Sequence, residues 1–410
     1  MNLQTQRRID RWIGQPLCAA VSLWAKLTAL FVGRTNAQQA AAPVKTVLVI
    51  MLSEMGSMVL AGPMFAQIRK RYPDAAVHVL QLAKNREVSL LLQIARPEHL
   101  HALDDSSLGA LLGSMWRVLR TLRVLPVDVV IDCELFSRIS ALLSYACGAP
   151  LRAGFTPHTQ EGLYRGSFIN RALPYNPYRH ISQQFVALVD ALDAGTMPRS
   201  KASGLLTLPT DSGLSVDFPE AELAAYAARL RTDFPLLQQR SLVLLYAGGG
   251  ILPERAWPAE HYAALATALC AEGHAVGLIG LADDRALAQQ IQGATNSPQC
   301  LDLTGYTRSI RELLMLFHQA RLLVTNDGGP GHFASLTPLA TFMFFGPETA
   351  RLYGPLSPRT TVFDLQLPCS PCLSAYNHRN TFCDGDNQCL KRIPPGTVID
   401  MALAALAVST

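Results

Sequence analysis

Leu322-Leu323-Val324-Thr325-Asn326 runs straight into Asp327-Gly328-Gly329-Pro330-Gly331-His332-Phe333-Ala334, and this junction decides the fold. The first five residues read as a buried strand, Pro330 suits the first turn of a helix, and the glycines permit a sharp turn between the two. Strand, glycine turn and helix in that order form the repeating unit of a parallel sheet with crossover helices. Unpaired amide N–H groups at the start of such a helix attract anions, and glycine lets a ligand come close to the backbone. Asp327, Gly328, Gly329, Pro330, Gly331 and His332 are therefore candidates for an anion site of diphosphate size. A plain strand-to-helix turn needs only one special residue; three glycines together with an aspartate and a histidine favour a ligand.

The same grammar extends in both directions. Downstream, Pro330 to Leu336 reads as helix and Leu339 to Phe345 as strand. Upstream come a strand over 242–247, the turn Gly248-Gly249-Gly250, a helix over 258–272, a strand over 275–279, and helices over 283–292 and 309–321. Gly249 and Gly250, with Arg255 in Glu254-Arg255-Ala256-Trp257-Pro258, could complete the anion site from a neighbouring strand. Arg255 could equally be a solvated surface charge. In the first half, a strand over 44–52 leads through Ser53-Glu54-Met55-Gly56-Ser57 into a helix over 58–71, which Tyr72-Pro73-Asp74 ends. Strands over 77–82, 127–133 and 151–155 and a helix over 138–147 follow. Glu54 is a candidate general base, with a solvated turn carboxylate as the alternative. Pro209, Gly213 and Pro219 interrupt the pattern between 198 and 239. The expectation is an α/β chain of two doubly wound domains facing a central cleft, where this architecture places ligands.

The chain has 410 residues, 49% apolar and 16% charged, with a formal net charge of +4. That suffices for two cores, excludes a disordered scaffold, and gives no basic, aromatic-interleaved stripe for nucleic acid. Of nine cysteines, five lie scattered in apolar runs and read as core thiols. Cys369, Cys372, Cys383 and Cys389 cluster, which leaves a structural zinc, a reduced or disulfide-capable packing cluster and an iron–sulfur centre open. The apolar stretch Pro16 to Val32 is interrupted by Lys26, and no small-residue cleavage site closely follows, against a secretory signal. Ile13, Leu17, Val21, Trp24, Leu27 and Phe31 recur at helical spacing between Arg7, Arg8, Arg11 and Arg34. This suits a helix lying on a membrane surface; packing on the protein's own body and spanning a bilayer are the alternatives.

Taken in order, these pieces resemble the heptosyltransferase-type enzymes of glycosyltransferase family 9. The marks in the first half are Val47-Leu48-Val49-Ile50, Leu52-Ser53, Gly56, Val59-Leu60, Pro63 and Tyr72-Pro73. In the second half they are Arg255-Ala256-Trp257-Pro258, Leu303-Thr304-Gly305, Thr325-Asn326-Asp327, Gly329-Pro330, His332 and Phe345-Gly346-Pro347. The resemblance implies the GT-B architecture of two Rossmann-like domains. It also implies inverting, metal-independent transfer of a sugar, usually heptose from ADP-heptose, to a lipid-linked saccharide of the lipopolysaccharide core. No cofactor is implied. Asp327 would contact the donor sugar, the amides of Gly329 to His332 the diphosphate, and Arg255 a phosphate. The family usually carries Gly-Asp in the first turn, with the aspartate as base, whereas this chain has Gly56-Ser57; a serine cannot be that base at neutral pH. Glu54 is then the expected base, beside Ser57, with Ser53 and Gly56 on the acceptor side.

The expected layout is an N-terminal helix and linker over 1–43, an acceptor-side domain over 44–200, an inter-domain region over 201–240, a donor domain with the cysteine loop over 241–395, and a C-terminal helix over 396–410. The expected setting is the cytoplasm, peripheral on the inner face of the cytoplasmic membrane, with a nucleotide-diphosphate sugar and a lipid-linked acceptor as partners. The alternatives are a nucleotide-sugar-binding homologue without catalysis, which Ser57 suggests, and a family member using a different nucleotide-sugar and acceptor. A Rossmann dehydrogenase or epimerase would need Gly-x-Gly-x-x-Gly after the first strand, and Ser53 to Ser57 holds one glycine.

Overall fold

The structure is a computed structural model that describes residues 8, 10–31, 43–52, 55–157, 164–193, 207–250, 252–376, 381 and 383–408. Ser53 and Glu54 lie outside the described residues, as do Arg7 and Arg34. The chain divides into two compact units, Met1–Leu208 and Pro209–Thr410.

The first unit is built on β1 (Thr46–Met51), β2 (Ala76–Leu82), β3 (Leu100–Leu103), β4 (Val129–Asp132), β5 (Leu151–Phe155) and β6 (Arg171–Leu173). They form one sheet in the order β3-β2-β1-β4-β5-β6, parallel at every pairing. Every residue of β1 is buried, as a parallel sheet covered by helices on both faces requires. The second unit uses β7 (Leu242–Tyr246), β8 (Ala275–Leu278), β9 (Cys300–Asp302), β10 (Ala320–Asn326), β11 (Ala340–Phe345) and β12 (Thr360–Asp364). Its order, β12-β11-β10-β7-β8-β9, is the same topology, again all parallel. In each unit the winding reverses between the first and fourth strands. The crevices at the carboxyl ends of β1/β4 and of β7/β10 are therefore the topological switch points where such sheets hold ligands.

The helix expected over 58–71 is two helices, Met55–Leu60 and Gly62–Arg71. Pro63, near the start of the second, has no N–H to continue the first. The helix expected over 309–321 stops at Phe317, and β10 begins at Ala320. The helix Arg285–Thr295 ends where Asn296 takes the left-handed conformation, φ 48°, a common C-terminal stop. The helix Glu220–Asp233, inside the expected inter-domain region, belongs to the second unit.

The N-terminal helix Gly14–Phe31 packs against the helix Arg138–Ala146. Cys18 is fully buried with Ala141, Phe168 and Ile169, and Val21 packs against the same cluster. Ser22 Oγ lies 2.9 Å from the Tyr164 hydroxyl and accepts the Ser167 amide at 2.9 Å. Val21, placed on the membrane-facing stripe by its spacing, therefore sits on the docked face. Trp12, Ile13, Leu17, Leu23, Trp24 and Leu27 remain exposed. Among the described residues no helix is long and apolar enough to cross a membrane.

The five scattered cysteines, Cys18, Cys133, Cys147, Cys270 and Cys300, are buried and unbridged. Burial pushes the Cys18 thiol up to about 11 and that of Cys147 to about 12, so they behave as inert core groups.

Candidate active site

At the switch point of the second unit, one side chain ties both glycine turns together. Asn326, the last residue of β10 and fully buried, donates through Nδ2 to the carbonyls of Ala247 and Gly248, each at 3.0 Å. Its Oδ1 accepts the Trp257 amide at 2.9 Å and lies 3.0 Å from the Tyr262 hydroxyl. All the hydrogen-bonding capacity of the amide is thereby used. Trp257 stacks on Phe344, centroids 4.5 Å apart, and donates its indole N–H to the Ile393 carbonyl at 3.1 Å. The Arg255-Ala256-Trp257-Pro258 segment is thus fixed by both the floor of the sheet and the end of β10.

Arg255 is not a solvated charge. It is 7% exposed, its Nη2 donates to Glu348 Oε2 at 2.6 Å, and its Nε lies 3.5 Å from Asp327 Oδ2. A guanidinium between two carboxylates has most of its charge answered inside the protein, so its first effect is to hold Asp327 and Glu348 in place. The Asp327 amide donates to the Phe344 carbonyl at 3.0 Å, which fixes the residue from its backbone as well. His332 is buried within the short helix Gly329–Ala334. Glu348 was not picked out from the sequence; the signal for it was its place directly after Phe345-Gly346-Pro347, at the carboxyl end of β11.

The glycines separate into two classes when a methyl group is imagined on each. At Gly249 the methyl would meet the Leu252 carbonyl oxygen and the Pro253 Cα at 2.8 Å, and Gly250 has φ +62°. At Gly331 it would meet Met343 Sδ at 2.7 Å. Gly249 and Gly250 are required by the protein's own backbone, and at Gly331 a methyl group would force the end of the Met343 side chain to move. At Gly328 the nearest atoms are 3.9 Å away, and at Gly329 only the Phe333 ring edge is near, at 3.6 Å. Gly328 is extended, φ 175°, so its backbone does not require glycine either. The fold leaves these two without a steric reason, and they follow directly on the carboxyl end of β10.

At the corresponding place in the first unit, Gly56 is buried and Ser57 half-buried in the helix Met55–Leu60. Glu134, just beyond β4 and 9% exposed, accepts the Leu52 amide on Oε1 at 2.6 Å. That bond ties the end of β1 to the end of β4. Beneath it, Asp132 and Arg165 form a fully buried ion pair. Arg165 Nη1 also donates to the Glu134 carbonyl at 2.7 Å and Nη2 to Ser140 Oγ at 2.9 Å. Burial pushes the Asp132 carboxyl up, while Arg165, the Glu134 amide and Ser140 oppose that push. The sequence reading passed over Glu134, although an acid directly after the fourth strand marks the switch point.

In the cysteine-rich segment Cys369 and Cys383 are exposed, Cys372 half-buried and Cys389 buried, all unbridged. The Cys389 thiol is pushed up to about 11, first by burial and then by Cys372, Cys369 and Cys383. Among the described residues no three His, Cys, Asp or Glu side chains come together as metal ligands. Cys389 packs beneath Gly346, where an added methyl would lie 2.8 Å from its sulfur.

Residues 115–381 match the family model "Glycosyltransferase family 9 (heptosyltransferase)", which runs across both units. The chain belongs to glycosyltransferase family 9. It is a glycosyltransferase, and two parallel doubly wound units make it a GT-B enzyme. The chain is 29% identical over 325 residues to lipopolysaccharide heptosyltransferase 2 of Salmonella typhimurium, covering 78% of this chain and 88% of the relative. Among solved structures, ADP-heptose lipopolysaccharide heptosyltransferase II of E. coli superimposes with a TM-score of 0.68 at 24% identity, covering 89% of this chain and 99% of that one. An E. coli heptosyltransferase with ADP gives a TM-score of 0.62 at 14% identity, covering 88% and 99%.

Proposed function

We propose that this family 9 enzyme transfers heptose, with inversion and without a metal, from ADP-heptose to a lipid-linked saccharide of the lipopolysaccharide core. Gly328 and Gly329 carry the reading: two glycines that the fold does not need, at the switch point where a nucleotide ligand is expected, leave the backbone open to a diphosphate. The amides from Gly329 to His332 hold the diphosphate, and Asp327 accepts hydrogen bonds from the donor sugar. Arg255, braced by Glu348, positions Asp327. In the reaction the acceptor hydroxyl attacks the anomeric carbon, the bond from that carbon to the diphosphate oxygen breaks, and ADP leaves. A base takes the hydroxyl proton, and amide dipoles at the turn stabilise the charge gathering on the leaving phosphate.

Glu54 is the proposed base, since Ser57 stands where the family usually has aspartate. Ser53 and Gly56 shape the acceptor side. The exposed face of the N-terminal helix, with Leu23 and Trp24 outward, rests on the inner surface of the cytoplasmic membrane, where a lipid-linked acceptor is presented. The test is to incubate the chain with ADP-heptose and a heptose-accepting core saccharide, and to determine the anomeric configuration of the product. Inverted product supports the reading; retained configuration contradicts it. Ser57 favours a second reading, a binder without catalysis, and tight ADP-heptose binding with no transfer to any core acceptor would select it.

A further inference from the structure

The helix Leu108–Val124 has two apolar faces where a helix on the surface of a domain needs one. Its inner face places Val118 and Leu122 in a core shared with Leu143 and Cys147. Its outer side carries Leu112 and Trp116, both exposed, Trp116 by 63%, with Leu108 and Val124 exposed at the two ends. Leu112, Trp116 and Arg120 follow at four-residue spacing and lie side by side, whereas over the whole length from Leu108 to Val124 such a row winds about 160° round the helix, so those two end residues stand apart. Arg120 lies over the Trp116 ring, 5.7 Å from its centroid, and Arg117 is exposed beside it.

This helix packs on one side of Arg138–Ala146, and the N-terminal helix Gly14–Phe31 packs on the same Arg138–Ala146 helix. The three helices contain no Asp or Glu. Asp10, just before the N-terminal helix, is taken up by Arg138 at 2.9 Å. Asp104 and Asp105 precede Leu108, and Asp105 lies 3.8 Å from Lys84. The surface is thus aromatic, aliphatic and cationic, the chemistry that suits a bilayer interface bearing negative headgroups.

We propose that Leu108–Val124 is a second membrane-docking element, which acts with the N-terminal helix to seat the first unit on an anionic phospholipid surface. The proposal rests on the membrane reading of the N-terminal helix and extends it: two separated anchors fix orientation, where one leaves the unit free to swivel. Leu112 and Trp116 enter the headgroup region, and Arg117 and Arg120 meet the phosphates.

The test sediments the full chain with vesicles of phosphatidylcholine alone and of phosphatidylcholine with phosphatidylglycerol. The expected result is binding to the anionic vesicles that weakens with added salt and falls about fivefold for each of Arg117→Gln and Arg120→Gln. Trp116→Ser should lower binding to a comparable degree, with an unchanged thermal midpoint because the site is exposed. If Trp24→Ser abolishes binding while the helix 108–124 variants bind like the parent, the second element is overturned and the N-terminal reading stands. If the parent binds neither vesicle, both fall. A change in oligomeric state on Trp116→Ser, with vesicle binding intact, would assign this side of the helix to a second copy of the chain and also overturn the proposal.

Discussion

Asn326 Nδ2 donates to the Gly248 carbonyl at 3.0 Å, so the end of β10 and the glycine turn after β7 are held as one body. A single buried amide answers two carbonyls and an amide N–H. Asn326→Ala should cost about 2–4 kcal/mol of stability, since several buried groups lose their partners together. Asn326→Asp should be nearly as harmful, because a carboxylate cannot donate to the Ala247 and Gly248 carbonyls. Chemical denaturation of both variants checks this.

Arg255 and Glu348 make a second coupled pair. Glu348→Ala leaves a buried guanidinium with one carboxylate, and should destabilise by about 3 kcal/mol while raising the KM for the donor more than it lowers kcat. Arg255→Met, which removes the charge and keeps the volume, should weaken donor use through misplacement of Asp327. If Arg255→Met leaves the donor KM unchanged, Arg255 has no positioning role.

Glu54→Gln should lower kcat at least a hundredfold with donor affinity retained, the usual scale for loss of a general base. Unchanged turnover would remove Glu54 from the mechanism and turn attention to Glu134 at the end of β4. Asp327→Ala should instead impair donor binding.

A histidine cluster in the first unit predicts a pH effect on stability. His78 Nδ1 lies 3.0 Å from His101 Nε2, and the His99 ring stacks on His78 at 4.1 Å. Burial, then His99 and His101, pulls His78 down to about 4. The unfolded chain therefore binds a proton that the folded chain refuses between about pH 6.5 and 4. Stability from this site is present above pH 6.5 and is lost as pH falls toward 4, on the order of 1–2 kcal/mol after solvent screening. His78→Gln should flatten the dependence of the thermal midpoint over that window.

The central strands were legible because burial on both faces writes long apolar runs: β1, β7, β10 and β11 stand where the sequence places them, within a residue or two. The edge strands β3, β6, β9 and β12 were not read. They are three to five residues long, too short for a period to show, and each pairs on one side only. The glycine turns were legible as turns, but not which glycine serves packing and which faces open space. Gly331 and Gly329 look alike in sequence; only the position of Met343 separates them. The partners of Arg255 were hidden for a similar reason, since Glu348 lies 93 residues away along the chain.

Direct titration of ADP-heptose into the parent chain and into Gly329→Ala tests the donor site most sharply. The fold has room for a methyl group at Gly329; on the proposed reading a bound diphosphate would not. The expected result is saturable binding by the parent, preferred over UDP- and GDP-sugars, and at least a tenfold loss in Gly329→Ala at an unchanged thermal midpoint. Equal affinity of the two proteins for ADP-heptose, or no binding by the parent, would contradict the assignment of this turn as the diphosphate site.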